Sequence, residues 1–317
     1  MPVSRRSVLA GLAAMAATPS FAASRINAVA STAMIADLVR QIGGTGVEVR
    51  ALMGPGVDPH AYRQTRSDIV DMTRADTVFW HGLYLEAQME EFLLDLSRKR
   101  PVHAVAESVD QSLLIGSEDY EDRFDPHIWM DPELWVKCVP AVVRALTTLR
   151  PKGKEMFEAN AAAFIAEAEA LSIYSRDVLG AVRPEARVLL TAHDAFGYFG
   201  AAYDFEVLGI QGISTESEAG LNRIGTLVDM LVARQLPAVF VETSVSDRNI
   251  RALIEGAAAQ GHSVSIGGSL FSDAMGPEGT YEGTWLGMID HNVTTIARAL
   301  GADVPATGRL GLLKGAA

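Results

Sequence analysis

Three of the seven histidines lie in local sequences that suit metal coordination. His60 and His127 each end an Asp-Pro-His tripeptide, and His193 follows a short apolar run that ends at Ala192. Proline fixes its own φ at about −65° and restricts the residue before it, so a stiff loop presents each of the first two histidines. A pre-positioned ligand loses little conformational entropy on binding. The repeat favours a shared metal site, but two hydrogen-bonded loop histidines explain it equally well.

The remaining histidines stand in sequences without matching partners, and we expect core or surface roles for all of them: His81, His103, His262 and His291. A histidine that binds metal usually donates its second ring N–H to an oxygen, which fixes the tautomer. Asp58, Glu86 and Glu218 are our candidates for such acceptors.

Two series of short β-rich runs, separated by helical patterns, place these residues in a fold. The predicted strands begin at Ile26, Val47, Thr77 and Val102 in the first half, and at Arg187, Glu206, Ala238 and Ser263 in the second. Alternating strands and helices predict parallel sheets flanked by helices, here twice over. His193 then lies at the carboxyl end of a strand, where open α/β sheets bind their ligands.

A long helix is predicted between the two halves, over residues 151–181. Apolar residues recur there at steps of three or four, namely Phe157, Ala161, Phe164, Ala168, Leu171 and Tyr174. Pro151 suits the first turn of this helix and Gly180 suits its end. The fold class is therefore α/β, with an N-terminal lobe (24–150) and a C-terminal lobe (182–317) joined by one rigid helix.

The N-terminus has the pattern of an export signal, with Arg5-Arg6, an apolar stretch and a small-residue end. The stretch has about half of the roughly 20 apolar residues that span a bilayer. Cleavage near Ala22 predicts a periplasmic protein, exported by either the twin-arginine or the general secretory route. No cysteine follows the apolar stretch, so we expect no lipid anchor.

Composition excludes several classes of protein. The 317 residues include 27 Lys and Arg against 39 Asp and Glu, a net charge of −12. Nucleic-acid backbones attract basic surfaces, so we expect no nucleic-acid partner. The single cysteine, Cys138, excludes an internal disulfide framework and a cysteine-rich metal cage.

Several blocks of the sequence together resemble one family. They include Gly56-Val-Asp-Pro-His60-Ala-Tyr, Asp125-Pro-His127-Ile-Trp-Met-Asp-Pro, Thr191-Ala-His193-Asp-Ala-Phe-Gly-Tyr-Phe, Val241-Glu-Thr-Ser-Val-Ser and Gly267-Gly-Ser-Leu-Phe-Ser-Asp273-Ala-Met-Gly. In this order they resemble the metal-binding solute-binding proteins of bacterial zinc and manganese ABC importers, the TroA-like group (solute-binding protein family 9). The resemblance covers about residues 26 to 300, nearly all of the predicted mature chain.

The resemblance implies a ligand set and a partner. It implies that His60 and His127 from the first lobe, and His193 and Asp273 from the second, bind one divalent cation as cargo. It also implies delivery to an ABC permease of the inner membrane, by a chain that we expect to be a monomer. Whether a periplasmic metallochaperone loads the site is left open.

The ligand types favour Zn²⁺ slightly over Mn²⁺, because imidazole suits zinc and Mn²⁺ prefers more oxygen. Many zinc-specific members carry a His-rich loop before the second ligand. Here that segment, residues 116–124, is acidic and has no histidine, which keeps manganese open.

Two other functions were weighed. A zinc hydrolase of α/β type needs an open coordination position and a general base, and four protein ligands would fill a tetrahedral site. The chain also lacks a Gly-x-Ser-x-Gly nucleophile elbow. We therefore expect no enzymatic activity. An adhesin-like surface role is the second alternative.

Overall fold

The computed structural model describes residues 25–117, 122–216 and 220–314. The predicted signal peptide (1–22), Glu218 and the centre of the acidic segment lie outside these ranges. In the first half, four parallel strands form one sheet in the order β2-β1-β3-β4. Their bounds are β1 Ile26–Ala30, β2 Val47–Ala51, β3 Thr77–Trp80 and β4 Val102–Ala104. This sheet matches the predicted one, strand for strand.

Five helices accompany this sheet: α1 Ala33–Gly43, α2 Arg66–Arg74, α3 Glu90–Ser97, α4 Pro132–Trp135 and α5 Val139–Leu149. Local capping explains where two of them begin. The Thr32 hydroxyl accepts a hydrogen bond from the Ile35 amide at the start of α1. At α2, Thr65 and Asp68 cap each other's backbone amides reciprocally.

The predicted long helix is α6, Lys154–Gly180, with 27 residues. At 1.5 Å per residue it is about 40 Å long. Pro151 lies in a short 3₁₀ turn, Pro151–Gly153, just before the helix and not within its first turn. The apolar series predicted for this helix is buried along one face, apart from Tyr174, which is half-buried.

The second half contains two pairs of parallel strands: β5 Val188–Thr191 with β6 Glu206–Gly209, and β7 Ala238–Glu242 with β8 Ser265–Leu270. Strands β5 and β7 lie side by side. Four helices flank them: α7 Gly197–Tyr203, α8 Leu221–Ala233, α9 Arg248–Ala259 and α10 Trp285–Ala299. The α/β class with parallel sheets flanked by helices and one long helix is therefore confirmed, while the exact domain boundaries stay a prediction.

One large hydrophobic core runs through both halves. Helix α10 packs against α6 and also contacts α1 of the first half. The buried carboxylate of Asp37, on α1, accepts a hydrogen bond from the Trp285 backbone amide at 2.9 Å. Asp37 thereby satisfies a free N–H group at the start of α10, from the other half of the chain. Within the described ranges, no helix is both long and apolar enough to cross a membrane.

Candidate metal centre

The loop that follows β2 presents His60. The Asp58 side chain folds back and accepts the His60 backbone N–H at 2.9 Å through Oδ1. Its other oxygen accepts the hydroxyl of Thr215, a residue of the second half, at 2.5 Å. The Asp-Pro-His tripeptide is therefore a small closed turn that also contacts the opposite side of the site. The His60 side chain itself is buried.

The second Asp-Pro-His tripeptide repeats this turn and adds one bond. Asp125 Oδ1 accepts the His127 backbone N–H at 2.9 Å and also lies 2.7 Å from Nδ1 of the ring. A carboxylate at Nδ1 fixes the tautomer and leaves Nε2 free to act as a ligand. The ring also packs edge-on against Trp129, at 5.2 Å between centroids. His127 is therefore fixed in both position and orientation.

His193 follows β5 at the carboxyl edge of its strand pair, as predicted. Glu242, the last residue of the neighbouring strand β7, accepts the His193 backbone N–H at 2.9 Å. The second carboxylate oxygen of Glu242 lies 2.5 Å from the ring Nδ1. Both side chains are completely buried. A carboxylate from an adjacent strand thus orients His193 as Asp125 orients His127.

Asp273 follows β8 and enters the same space. It is 2% exposed, and neither of its carboxylate oxygens has a well-aligned hydrogen-bond donor among the described residues. A buried carboxylate without donors is costly unless a cation compensates for its charge. Asp273 is therefore placed as a ligand would be.

The four predicted residues meet at one point, where their donor atoms all lie within 4.8 Å of one another. The His60 and His127 Nε2 atoms are 3.3 Å apart. Asp273 oxygens lie 3.3 Å from His127 Nε2, 3.1 Å from His193 Nε2 and 3.8 Å from His60 Nε2. Donors bound tetrahedrally at 2.0–2.1 Å would be about 3.3 Å apart. The spacing is that of a tetrahedral site, although the ligand role itself stays a prediction.

The charges of the four groups differ. Burial lowers the pKa of His60 to about 3, so this ring is neutral. Burial also opposes charge on His127, but the Asp125 carboxylate outweighs it and raises the pKa to about 9. Against the same burial, Glu242 and Asp273 raise the pKa of His193 well above its usual value. Opposing its own burial, Asp273 keeps its pKa well below the usual value because His193 and His127 lie beside it.

Two of the expected ring acceptors are wrong. Glu86 is buried but accepts the Ser31 hydroxyl and the backbone N–H groups of His81 and Gly82. Asp58 binds backbone and a hydroxyl, as described, and no ring. The actual acceptors are Asp125 and Glu242. Glu242 could have been found, because it is an acid that ends an otherwise apolar strand beside the strand that carries His193.

The other four histidines lie apart from the four donor atoms. His103 stacks on Phe79 in β4, and His262 and His291 bind backbone carbonyl groups. His81 is buried between Trp129 and Trp135. Burial lowers the pKa of His81 to about 3, so its ring is neutral.

The family model of ZnuA, the periplasmic component A of zinc-uptake complexes, matches residues 28–299. The chain belongs to this family. Its members are metal-binding receptors for transport, and the resemblance identified in the sequence is confirmed.

Individual members are highly similar. The manganese-binding lipoprotein MntA of Bacillus subtilis is 43% identical over 276 residues, which is 87% of this chain and 90% of MntA. The zinc-binding protein TroA of Treponema pallidum is 44% identical over 272 residues, 86% of this chain and 88% of TroA. The solved structure of the T. pallidum protein superposes with a TM-score of 0.85 at 43% identity, covering 87% of this chain and 99% of the solved one.

The expectation of no lipid anchor is wrong. MntA is a lipoprotein by name, as is PsaA of Streptococcus mitis, a manganese ABC transporter substrate-binding lipoprotein that is 28% identical over 282 residues, 87% of this chain and 89% of PsaA. The expectation rested on one missing cysteine. Lipid attachment is a covalent change that neither the fold nor the site reports. The expected periplasmic location agrees with the family's description.

Proposed function

We propose that this protein binds one divalent transition-metal ion in the periplasm and delivers it to an ABC importer. The observation that carries the proposal is the convergence of four buried donor atoms within 4.8 Å. Two of them come from each half of the chain. MntA, TroA and PsaA, which bind manganese or zinc by name, support the same reading.

In this proposal His60, His127 and His193 bind the ion through Nε2, and Asp273 binds through its carboxylate. The Nδ1 atoms of His127 and His193 lie beside carboxylates, at 2.7 and 2.5 Å, which leaves Nε2 as the ligand atom. Asp273 supplies negative charge and has no competing donor. Each ligand thus has a physical reason to be where it is.

We propose that zinc binds more tightly than manganese. Three imidazoles and one carboxylate form a nitrogen-rich set, and Mn²⁺ stands lowest in the affinity order of divalent first-row metals. The donor spacing fits zinc bond lengths, as calculated above. Competition of both metals for one chelating dye should give a smaller Kd for zinc, and a smaller Kd for manganese would contradict this preference.

We propose that the chain acts as a receptor without enzymatic activity. Four protein ligands fill a tetrahedral zinc site and leave no position for an activated water. Because one chain supplies all four ligands, it also needs no second copy to complete the site. Light scattering of the metal-loaded protein should therefore give the mass of a monomer. The partner is the membrane permease with its ATPase.

Titration calorimetry of chelator-stripped protein tests the ligand set. Wild type should bind one Zn²⁺ per chain, and His193→Ala should bind it at least about 100-fold more weakly, because removing a ligand costs more than the 10- to 100-fold of an outer-shell change. The matched control is His103→Ala, since His103 is half-buried and packs on Phe79 away from the site. Equal losses in both variants would refute the assignment.

A further inference from the structure

The metal centre is nearly closed on the side of His60. A cavity of about 10 Å³ adjoins His60, which is room for roughly one water molecule. Its walls include Leu83, Tyr84, Arg123 and Phe124. A hydrated cation is far larger than one water molecule, so exchange through this opening requires a wall to move.

A second, larger cavity of about 280 Å³ lies directly outside the first. Leu83, Arg123 and Phe124 line both cavities and therefore form the partition between them. The outer cavity is also lined by the carboxylates of Glu107 and Asp122. An ion that reaches the outer cavity is separated from His60 by these three side chains alone.

A cation–π pair holds this partition. The Arg123 guanidinium lies over the ring of Tyr84, at 4.4 Å from its centroid. An Arg123 nitrogen also lies 3.8 Å from Glu90, so the guanidinium has a carboxylate nearby toward which it can swing. Arg123 is half-exposed, so its movement does not disturb the core.

The backbone beneath Tyr84 is strained. Leu83 and Tyr84 have φ values of 52° and 68°, and Gly82 before them has 84°. Non-glycine residues in the left-handed region are uncommon, and each stores strain that the surrounding structure must hold in place. The turn at residues 82–84 is therefore a segment that contacts in the partition hold in a costly conformation.

We propose that the Arg123–Tyr84 pair is a gate through which the cation enters and leaves the centre, and that it sets the rate of exchange. This inference rests on the proposed function. Neither residue is among the four donors, so the gate changes the barrier for exchange and not the stability of the bound ion. Association and dissociation should then change by the same factor.

Stopped-flow kinetics of the full chain tests the gate. Zn²⁺ association and chelator-driven dissociation are followed through tryptophan fluorescence, since Trp129 contacts the His127 ring. In Arg123→Gln and Tyr84→Ala, both rate constants should rise by about threefold to tenfold, the range that loss of a cation–π pair gives. The Kd should stay that of wild type.

Two controls separate the gate from other effects. Tyr84→Phe keeps the ring face and should exchange like wild type. Arg234→Gln removes an equal charge from an exposed pair with Glu206, which begins β6 at the end opposite the site. Unchanged rates in Arg123→Gln and Tyr84→Ala would overturn the gate, as would faster dissociation with a matching loss of affinity. Failure of wild type to bind Zn²⁺ would instead overturn the proposed function.

Discussion

Metal binding should release protons, and the number follows from the charges of the metal-free centre. Carboxylates raise the pKa of His127 to about 9 and that of His193 well above its usual value, despite burial. Near neutral pH both rings therefore carry a proton that must leave before Nε2 can bind. His60, with a pKa of about 3, has none to lose. We expect two protons released per ion.

The sign and size of the pH dependence follow. A raised pKa means that protons compete with the metal below that pKa, so affinity rises with pH. Two released protons give an increase of about 100-fold in affinity per pH unit between about pH 6.5 and 8. The ion then replaces two positive charges with two, which leaves the net charge of the buried centre unchanged.

Calorimetric titration with Mn²⁺ in buffers of different ionisation enthalpy measures the proton count directly. The observed enthalpy plotted against the buffer's ionisation enthalpy has a slope equal to the number of protons released. Asp125→Asn is the matched variant, because the Asp125 carboxylate is the main group that raises the pKa of His127. It should release one proton fewer. A slope of zero in wild type would refute the charge assignment.

Glu242→Gln should weaken Zn²⁺ binding by about 10- to 100-fold, because the carboxylate that orients His193 is lost; chelator competition at pH 8 measures this, and wild-type affinity would contradict it. Gly287→Ala should destabilise the fold by about 1–3 kcal/mol, because an added Cβ overlaps the Tyr281 carbonyl oxygen. Gly180→Ala, at the end of α6 with open space around an added Cβ, should stabilise it by about 0.5 kcal/mol. Thermal unfolding measures both glycine variants, and equal shifts would refute the packing argument.

Most of the fold was predictable because its strands are short apolar runs with clear ends. All eight begin within two residues of their predicted positions; the largest difference is at β8, where Ser263 was predicted and Ser265 is observed. The long helix was equally clear from its apolar spacing. What periodicity does not report is which distant elements pack together. The contact of α10 with α1, fixed by Asp37 and Trp285, therefore emerged only from the structure.

The site was predictable where local sequence constrains it and not where distant strands meet. The two Asp-Pro-His turns are local, and each has the rigid geometry that proline implies. The partnership of Glu242 with His193 depends on β7 lying beside β5, which the sequence does not specify. The assignments of Asp58 and Glu86 as ring acceptors were wrong for the same reason, because proximity along the chain does not give the direction of a side chain.

The contacts around the centre also indicate which proposed ligand leaves first. At the back, Trp129 follows His127 closely in the chain and donates its ring N–H to the Ser272 carbonyl at 2.9 Å, next to Asp273. The Trp129 carbonyl in turn accepts the Trp285 ring N–H at 3.0 Å, within the common core. Moving these ligands would break buried hydrogen bonds.

At the front, the loop of His60 is joined to the second half by the Asp58–Thr215 hydrogen bond, and that bond is only partly buried. A net hydrogen bond is worth about 1 kcal/mol, whereas an unmade buried one costs more. Release should therefore begin with His60 on the side of the gate, while the other three ligands stay in place.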